Sequence, residues 1–285
     1  MDLSFWWLFP VSIAIAAIAN GAGIGGATFF SPLFVIVLGL DPVIAIGAAL
    51  LTEVFGFASG VIAHARAKAI DWLAVRRLIA VSVPMAVVGS LLAGFAPETV
   101  LKLLLGFGLL FIAVTFIRHH DPKVEDEAIA AGVGVVQPAI RRRIITADDQ
   151  VYDYELCRLQ EGRIGAGIGG LLVGLISTGL GEANSYSLVK RCRIPSRVAI
   201  AVSVVTVAVT ALAASVTHLI NFLQTPDANF ALIASLVVFT IPGVIIGGQL
   251  GPRITGRIPE RTLIRSIGWL FIVVAAITLW EALAR

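Results

Sequence analysis

The chain has 285 residues, 58% of them hydrophobic and only 14% charged, with a net charge of +3 and a mean hydropathy of +0.95. A water-facing domain carries about 25% charged residues, so a soluble globular protein is excluded. Continuous apolar runs of roughly 18 residues or more mark spanning helices, whereas a transmembrane β-barrel would show short alternating segments. The composition therefore predicts an all-α polytopic membrane protein.

The opening "MDLSFWWLFP" has neither a positive n-region nor a small-residue cleavage site, which argues against a cleaved signal peptide. Apolar segments are predicted at 4–20, 26–40, 43–63, 74–94 and 99–117. After a polar stretch they resume at 163–180, a short 182–189, then 195–218, 229–250 and 262–283. This divides the chain into a first membrane repeat (1–117), a cytoplasmic linker (118–162) and a second membrane repeat (163–285). Within the linker, Val151 to Leu156 alternate after a turn at Asp148-Asp149, the pattern of a small hairpin. The Arg141–Arg143 run is expected to face water or lipid headgroups. Cys157 and Cys192 have no metal or redox spacing and read as ordinary unpaired thiols.

Charge sets the orientation. Of the 21 basic residues, 19 fall in four groups: 66–77, 118–163, 190–197 and 253–265; only Lys102 and Arg285 lie elsewhere. The connections at 39–42, 94–98 and 219–228 hold none. The positive-inside rule puts the four groups in the cytoplasm and both termini outside. The basic balance thus reflects topology and excludes a nucleic-acid partner. Membrane lipids are the surroundings, and a homo-oligomer stays open.

The same rule gives the two halves opposite orientation, and the halves repeat. "SVPMAVVGSLLAG" (82–94) matches "FTIPGVIIGGQLG" (239–251) at an offset near 158. Pro84 falls on Pro242, Gly89 on Gly247, Gly21 on Gly179 and Gly23 on Gly181. Ala45-Ile46 pairs with Ala199-Ile200, and Thr52 with Thr206. "GAGIGG" occurs at 21–26 and 165–170 and fits a dinucleotide fingerprint, but the strand–turn–helix setting that motif requires is missing. In the second copy the glycine spacing instead suits close helix packing.

Two glycine-rich interruptions, "ANGAGIGGATFF" (19–30) and "STGLGEANSYS" (177–187), therefore sit at equivalent places in oppositely oriented halves. Paired interruptions of this kind are the best sequence pointer to a transporter's substrate site. Unwinding a helix in the bilayer frees backbone groups that cost several kcal/mol each if unpaired, so breaks persist where protein or a polar cavity satisfies them. Freed N–H groups favour an anion, and glycine lets a ligand approach the backbone. The candidate substrate-binding residues are Asn20, Gly21, Gly23, Gly25 and Thr28 at the first break. Thr178, Gly179, Gly181, Asn184 and Ser185 are those at the second, joined by the repeat-equivalent hydroxyls of Thr52 and Thr206. Glu53 lies 10 to 11 residues from either end of its span, near the midplane. A carboxylate there costs about 2.5–3.5 kcal/mol on insertion scales, which favours the neutral acid and makes Glu53 a natural proton carrier. Glu182 is the other acidic residue at a break. His64, His218 and Gln249 read as polar groups near span ends.

These stretches resemble a known family. Residues 20–50, a glycine-rich turn, a proline and a small-residue "AIG" helix, are similar to the first-repeat signature of the sulfite exporter TauE/SafE family, and residues 177–204 to its second. Glu182, Ala183 and Asn184 stand where that pattern has glycines, and the 118–162 stretch is longer than the resemblance leads one to expect. The resemblance implies transport of a small sulfur-containing anion (sulfite, thiosulfate or a sulfonate) across a bacterial or archaeal cytoplasmic membrane. A channel-like anion conductor, or an importer of the same substrates, is the alternative. No nucleophile–base pair, metal-ligand spacing or ATP-binding motif is present, so an enzyme, a metal, a cofactor and a self-contained pump are not expected.

Overall fold

The computed structural model describes residues 3–22, 24–117, 140–156, 160–223, 230–254 and 260–283. Its element order is α1 (Leu8–Ala22), α2 (Ala27–Pro32), α3 (Pro42–Arg66), α4 (Trp72–Ala93) and α5 (Glu98–Ile117). A hairpin of β1 (Ile140–Ile145) and β2 (Val151–Leu156) follows. Then come α6 (Gln160–Ile176), α7 (Leu180–Ser185), α8 (Ser196–Leu223), α9 (Phe230–Ile254) and α10 (Glu260–Leu283). Each apolar segment read from the sequence coincides with one of these helices or with a short helix and its extension. Among the described residues, six helices are long and apolar enough to cross a membrane. The molecule is an all-α polytopic membrane protein with one small antiparallel hairpin in its linker.

Local chemistry explains the helix starts. Asp41 precedes α3, accepts the amides of Val43 and Ile44, and is followed by Pro42 at the first helical position; an aspartate cap and an early proline both favour helix initiation. Asp71 caps α4 in the same way, through Leu73 and Ala74. The two short helices α2 and α7 each run on into a π-helical turn, Leu33–Val37 and Tyr186–Arg191. Those turns close with matching backbone bonds. Leu38 N–H donates to Leu33 and Leu40 to Phe34; Cys192 donates to Ser187 and Ile194 to Leu188. Each member of the second pair lies 154 residues after its counterpart.

Packing is reciprocal as well. Helix α1 lies on α9 as α6 lies on α4; α3 touches α9 as α8 touches α4; α3 packs on α8 and α5 on α10. Glycines set the closest approaches. A Cβ on Gly89 would stand 2.2 Å from the Leu171 carbonyl oxygen, and one on Gly247 would stand 2.4 Å from that of Ile13. Both partners are shifted by the same 158 residues. The numbering along these contacts rises together on the two helices of each pair, so α4 runs parallel to α6, and α9 to α1. Through the breaks, however, the offset is 154. Gly25 is then the counterpart of Gly179, and Gly21, still inside α1, is not. The four-residue difference lies between the first helix and the break of each half.

The hairpin does more than the sequence anticipates. Its register pairs Ile140 with Leu156 and Ile145 with Val151, around the expected turn, where Asp149 takes a positive φ of 57°. Arg141 and Arg143 are exposed as expected, but Arg142 is half-buried and turns inward. It donates to both carboxylate oxygens of Asp71, at 3.0 and 2.9 Å, while the Tyr154 hydroxyl donates to Oδ2 at 2.6 Å. Burial pushes the Asp71 carboxyl up, but the hydrogen bonds from Arg142 and Tyr154 outweigh it and hold the group below the usual aspartate range. Burial and the Asp71 bond push the Tyr154 hydroxyl the other way, well above its usual value. The Ala147 amide also reaches the Ala67 carbonyl at 3.0 Å. Arg197, at the start of α8, pairs with Asp148 at 2.9 Å and lowers that carboxyl to about 2. The linker therefore grips the α3–α4 connection on one side and the first turn of α8 on the other. Cys192 is disulfide-bonded rather than an unpaired thiol; Cys157 lies outside the described residues.

Candidate functional site

The two interruptions meet. Helix α1 ends at Ala22, and α2 begins at Ala27 after Ile24, Gly25 and Gly26. In the second half α6 ends at Ile176. Ser177, Thr178 and Gly179 then turn the chain, with φ of 59° at Ser177 and 106° at Gly179. Between them the hydroxyls of Thr28 and Thr178 lie 2.8 Å apart, and those of Ser31 and Ser177 are hydrogen-bonded to each other. All four residues are buried. A left-handed backbone is costly for a residue with a side chain. At Ser177 it is compensated in part by the hydroxyl, which bonds Ser31 and also donates to the Ile176 carbonyl.

Glu53 reaches this region from α3. It is only 2% exposed, and its Oε1 accepts the Ala27 N–H at 3.1 Å. The carboxyl thus occupies one of the freed amides at the start of α2, the position where the sequence reading put an anion. Gly25 makes room for it. A Cβ there would lie 3.1 Å from Glu53 Oε1 and 3.2 Å from Thr28 Oγ1.

Each half also carries a buried asparagine close in sequence to its break. Asn20 donates to the Ala16 carbonyl at 3.1 Å, and its Oδ1 has no hydrogen-bond partner among the described residues. Gly60 leaves space for that oxygen, since a Cβ there would fall 1.8 Å from it. In α7, Asn184 is fully buried, and neither its Oδ1 nor its Nδ2 has a partner among the described residues. Burying an amide without hydrogen bonds costs on the order of 1–3 kcal/mol per group, and Asn184 is a buried amide with both polar side-chain atoms unpaired among the described residues.

The other predicted residues are distributed as follows. Gly21 is buried in α1, and Gly181 in α7. Gly179 packs on Leu172. Gly23, with the side chains of Glu182 and Ser185, lies outside the described residues. The Thr52 hydroxyl is engaged by Thr240 of α9 at 2.9 Å, and that of Thr206 bonds back to Val202 in its own helix at 2.8 Å. Thr52 thus ties α3 to α9, whereas Thr206 bonds only within α8; neither is bonded to the hydroxyl cluster at the breaks. His64 and His218, towards the ends of α3 and α8, are buried, 7% and 0% exposed. His218 contacts the Gly174 carbonyl at 2.9 Å. Gln249 donates to the Ser59 carbonyl at 2.6 Å. Ser31 and Ser177 were not singled out from sequence. The available signal was position: Ser31 sits three residues after Thr28, on the same face of a short helix.

The sequence profile of the family described as "Sulfite exporter TauE/SafE" matches residues 8–278. The chain belongs to the sulfite exporter TauE/SafE family. Two relatives come from Bacillus subtilis (strain 168). It is 26% identical to "Probable membrane transporter protein YjnA" over 267 residues, 90% of this chain and 94% of the relative. It is 21% identical to "Probable membrane transporter protein YunE" over 288 residues, 99% of both chains. No solved structure matches the chain. Its TauE/SafE membership spans both breaks, and it is a multi-pass membrane transporter by family, with the hydroxyl cluster between α2 and the end of α6 as its candidate site.

Proposed function

We propose that this TauE/SafE protein is a secondary transporter that exports a small sulfur-containing anion, such as sulfite, thiosulfate or a sulfonate, across a bacterial or archaeal cytoplasmic membrane. The observation that carries the reading is the meeting of the two breaks through Thr28–Thr178 and Ser31–Ser177. Hydroxyls and freed amides are hydrogen-bond donors for an oxyanion, and Asn184 supplies an amide with no partner among the described residues. The reciprocal packing of α1 on α9 and α6 on α4 supports two inverted repeats that rock about this point, with the substrate at their interface.

Proton coupling follows from Glu53. Its carboxylate and a substrate anion compete for the same Ala27 amide, and two negative charges a few ångströms apart in a low-dielectric site repel strongly. Anion binding therefore calls for the neutral acid, so a proton and an anion load together, and export runs down the outward gradient of the anion with the proton carried along. The reading does not involve catalysis: the site binds and releases its ligand unchanged.

The test is flux in proteoliposomes against sulfite, thiosulfate, sulfoacetate and sulfate. Wild-type protein should accumulate one of the sulfur anions under a pH gradient. Glu53→Gln keeps the shape but cannot titrate; it should bind and exchange the anion while losing gradient-driven accumulation. Full coupled accumulation in Glu53→Gln would remove Glu53 from the coupling. Transport of none of the four anions by wild-type protein would overturn the substrate assignment.

A further inference from the structure

A cavity of about 520 Å³ opens on the outer face of the α4–α6 pair, lined by Val81, Met85, Arg163, Ile164, Gly167 and Ile168. Gly167 forms its floor. A Cβ there would meet Val81 Cγ1 at 3.1 Å and Met85 Cγ at 3.8 Å. Ile164 and Ile168 form one flank and are 64% and 56% exposed. Arg163 closes one end. Arg77 lies one helical turn before Val81 on the same stripe of α4, and because α4 and α6 run parallel both arginines belong to the same end of the groove. That end carries the basic residues, which the positive-inside rule assigns to the cytoplasm. Among the described residues, neither arginine is paired with a carboxylate.

The other half provides an internal control. The contacts Gly89–Leu171 and Gly247–Ile13 fix the offset at this interface as 158. At that offset Gly167 corresponds to Phe9, Val81 to Phe239, Arg77 to Ser235 and Arg163 to Phe5. The same backbone packing is thus filled with aromatic rings and lacks cations in the α1–α9 pair. The groove and its two guanidinium groups are a property of the α4–α6 pair, not of the helix packing as such.

We propose that the α4–α6 groove binds one anionic glycerophospholipid of the cytoplasmic leaflet, its phosphate held by Arg163 and Arg77 and one acyl chain lying over Gly167. The argument is charge complementarity combined with shape. Guanidinium groups recognise phosphate through paired N–H donors, and basic pockets between transmembrane helices on the cytoplasmic side hold anionic headgroups. Below the headgroup the lining is apolar, as an acyl chain requires.

Native mass spectrometry of the detergent-solubilised full chain tests this with dioleoyl phosphatidylglycerol and dioleoyl phosphatidylcholine. One phosphatidylglycerol should survive activation that strips phosphatidylcholine. Arg163→Gln, at an exposed position that should not disturb folding, should lower retention about tenfold, the effect of one charge-assisted contact, and Arg163→Lys should recover part of it. Arg76→Gln, on the neighbouring face of α4, should leave retention unchanged. Gly167→Phe, which installs the residue of the other half, should abolish retention in protein that still elutes as a single species. Equal retention of both lipids, no effect of Arg163→Gln, or an equal effect of Arg76→Gln would overturn the proposal. So would displacement by millimolar glycerol phosphate, which would make the site one for a free phosphate rather than a lipid.

Discussion

Replacing Asp71 by asparagine should release the linker hairpin while leaving α4 intact. Asparagine caps a helix about as well as aspartate, so the amides of Leu73 and Ala74 keep an acceptor. What changes is the partner of the hairpin. The Asp71 carboxylate, with 0% side-chain exposure, accepts two bonds from Arg142, whose side chain is 31% exposed, and one from Tyr154. An amide NH₂ in place of Oδ2 would face the Arg142 Nε–H donor, so one charge-assisted bond is lost and the other weakened. Charge-assisted bonds contribute about 1.5–3 kcal/mol each; with a discount for the partial exposure of Arg142, the loss should be about 2–3 kcal/mol. The Ala147 amide bonds across the interface to the Ala67 carbonyl, and its hydrogen exchange reports docking. Exchange at Ala147 should accelerate roughly 30- to 150-fold in Asp71→Asn, with the first turn of α4 unchanged. Arg142→Gln should also accelerate it, and the double variant should be less impaired than the two effects summed. An Ala147 rate within threefold of wild type, or equal acceleration along α4, would refute the reasoning.

The same contact gives a pH window. Because Asp71 is depressed on folding, its contribution is complete above its unfolded value near pH 4 and disappears as pH falls through the lower folded value. Tyr154 is raised, so its contribution is complete below about pH 10 and is lost as pH climbs through the higher folded value; Ala147 exchange, corrected for intrinsic rates, should be flat between those limits. Gly89→Ala and Gly247→Ala should lower detergent-solubilised thermal stability by similar amounts, since each Cβ meets a backbone carbonyl at 2.2 or 2.4 Å; tolerance of one and not the other would break the reciprocity. Gly179→Ala should cost stability or transport through its φ of 106° and contact with Leu172, whereas Gly165→Ala, whose Cβ would lie 4.0 Å from Ala183, should behave as wild type in the same assays. In a background without Cys157 and Cys192, an outside-applied thiol reagent should label Thr225→Cys and not Asp148→Cys; the reverse pattern would invert the topology.

Hydropathy made the helices legible because a bilayer forces every spanning segment into a long apolar run, and the folded helices follow those runs to within a few residues. The breaks were legible for a related reason: Gly25, Gly26 and Gly179 interrupt sequence that would otherwise continue as helix. What the letters could not carry is the choice of partner. Thr52 and Thr206 are repeat-equivalent in sequence, yet one bonds Thr240 across a helix interface and the other its own Val202. A hydroxyl's role depends on the helix opposite, which no local pattern encodes. Arg142 shows the same limit from the polar side. In a run of three arginines its neighbours look identical to it, and only the period-two alternation of β1 decides which one turns towards Asp71. Arg141, next in the strand, pairs instead with Glu155 at 3.4 Å, with its side chain 91% exposed.

The repeat carries the deepest of these differences. A single offset of 158 aligns the packing glycines, whereas the hydrogen bonds that close the two π-helical turns repeat at 154. A sequence comparison that keeps one offset through the break pairs Gly21 with Gly179 and so matches a helical residue with a turn. The folded chain pairs Gly25 with Gly179 instead. With that shift Thr28 corresponds to Glu182 and Phe30 to Asn184, so the two breaks offer different chemistry at equivalent places. The first is closed by a carboxyl borrowed from α3, while the second carries its own acid and an amide in α7 with no partner among the described residues. On the proposed transport reading, an anion bound between them would meet unlike halves, and the asymmetry would give the pair a basis for distinguishing the loaded state that faces one side from the loaded state that faces the other.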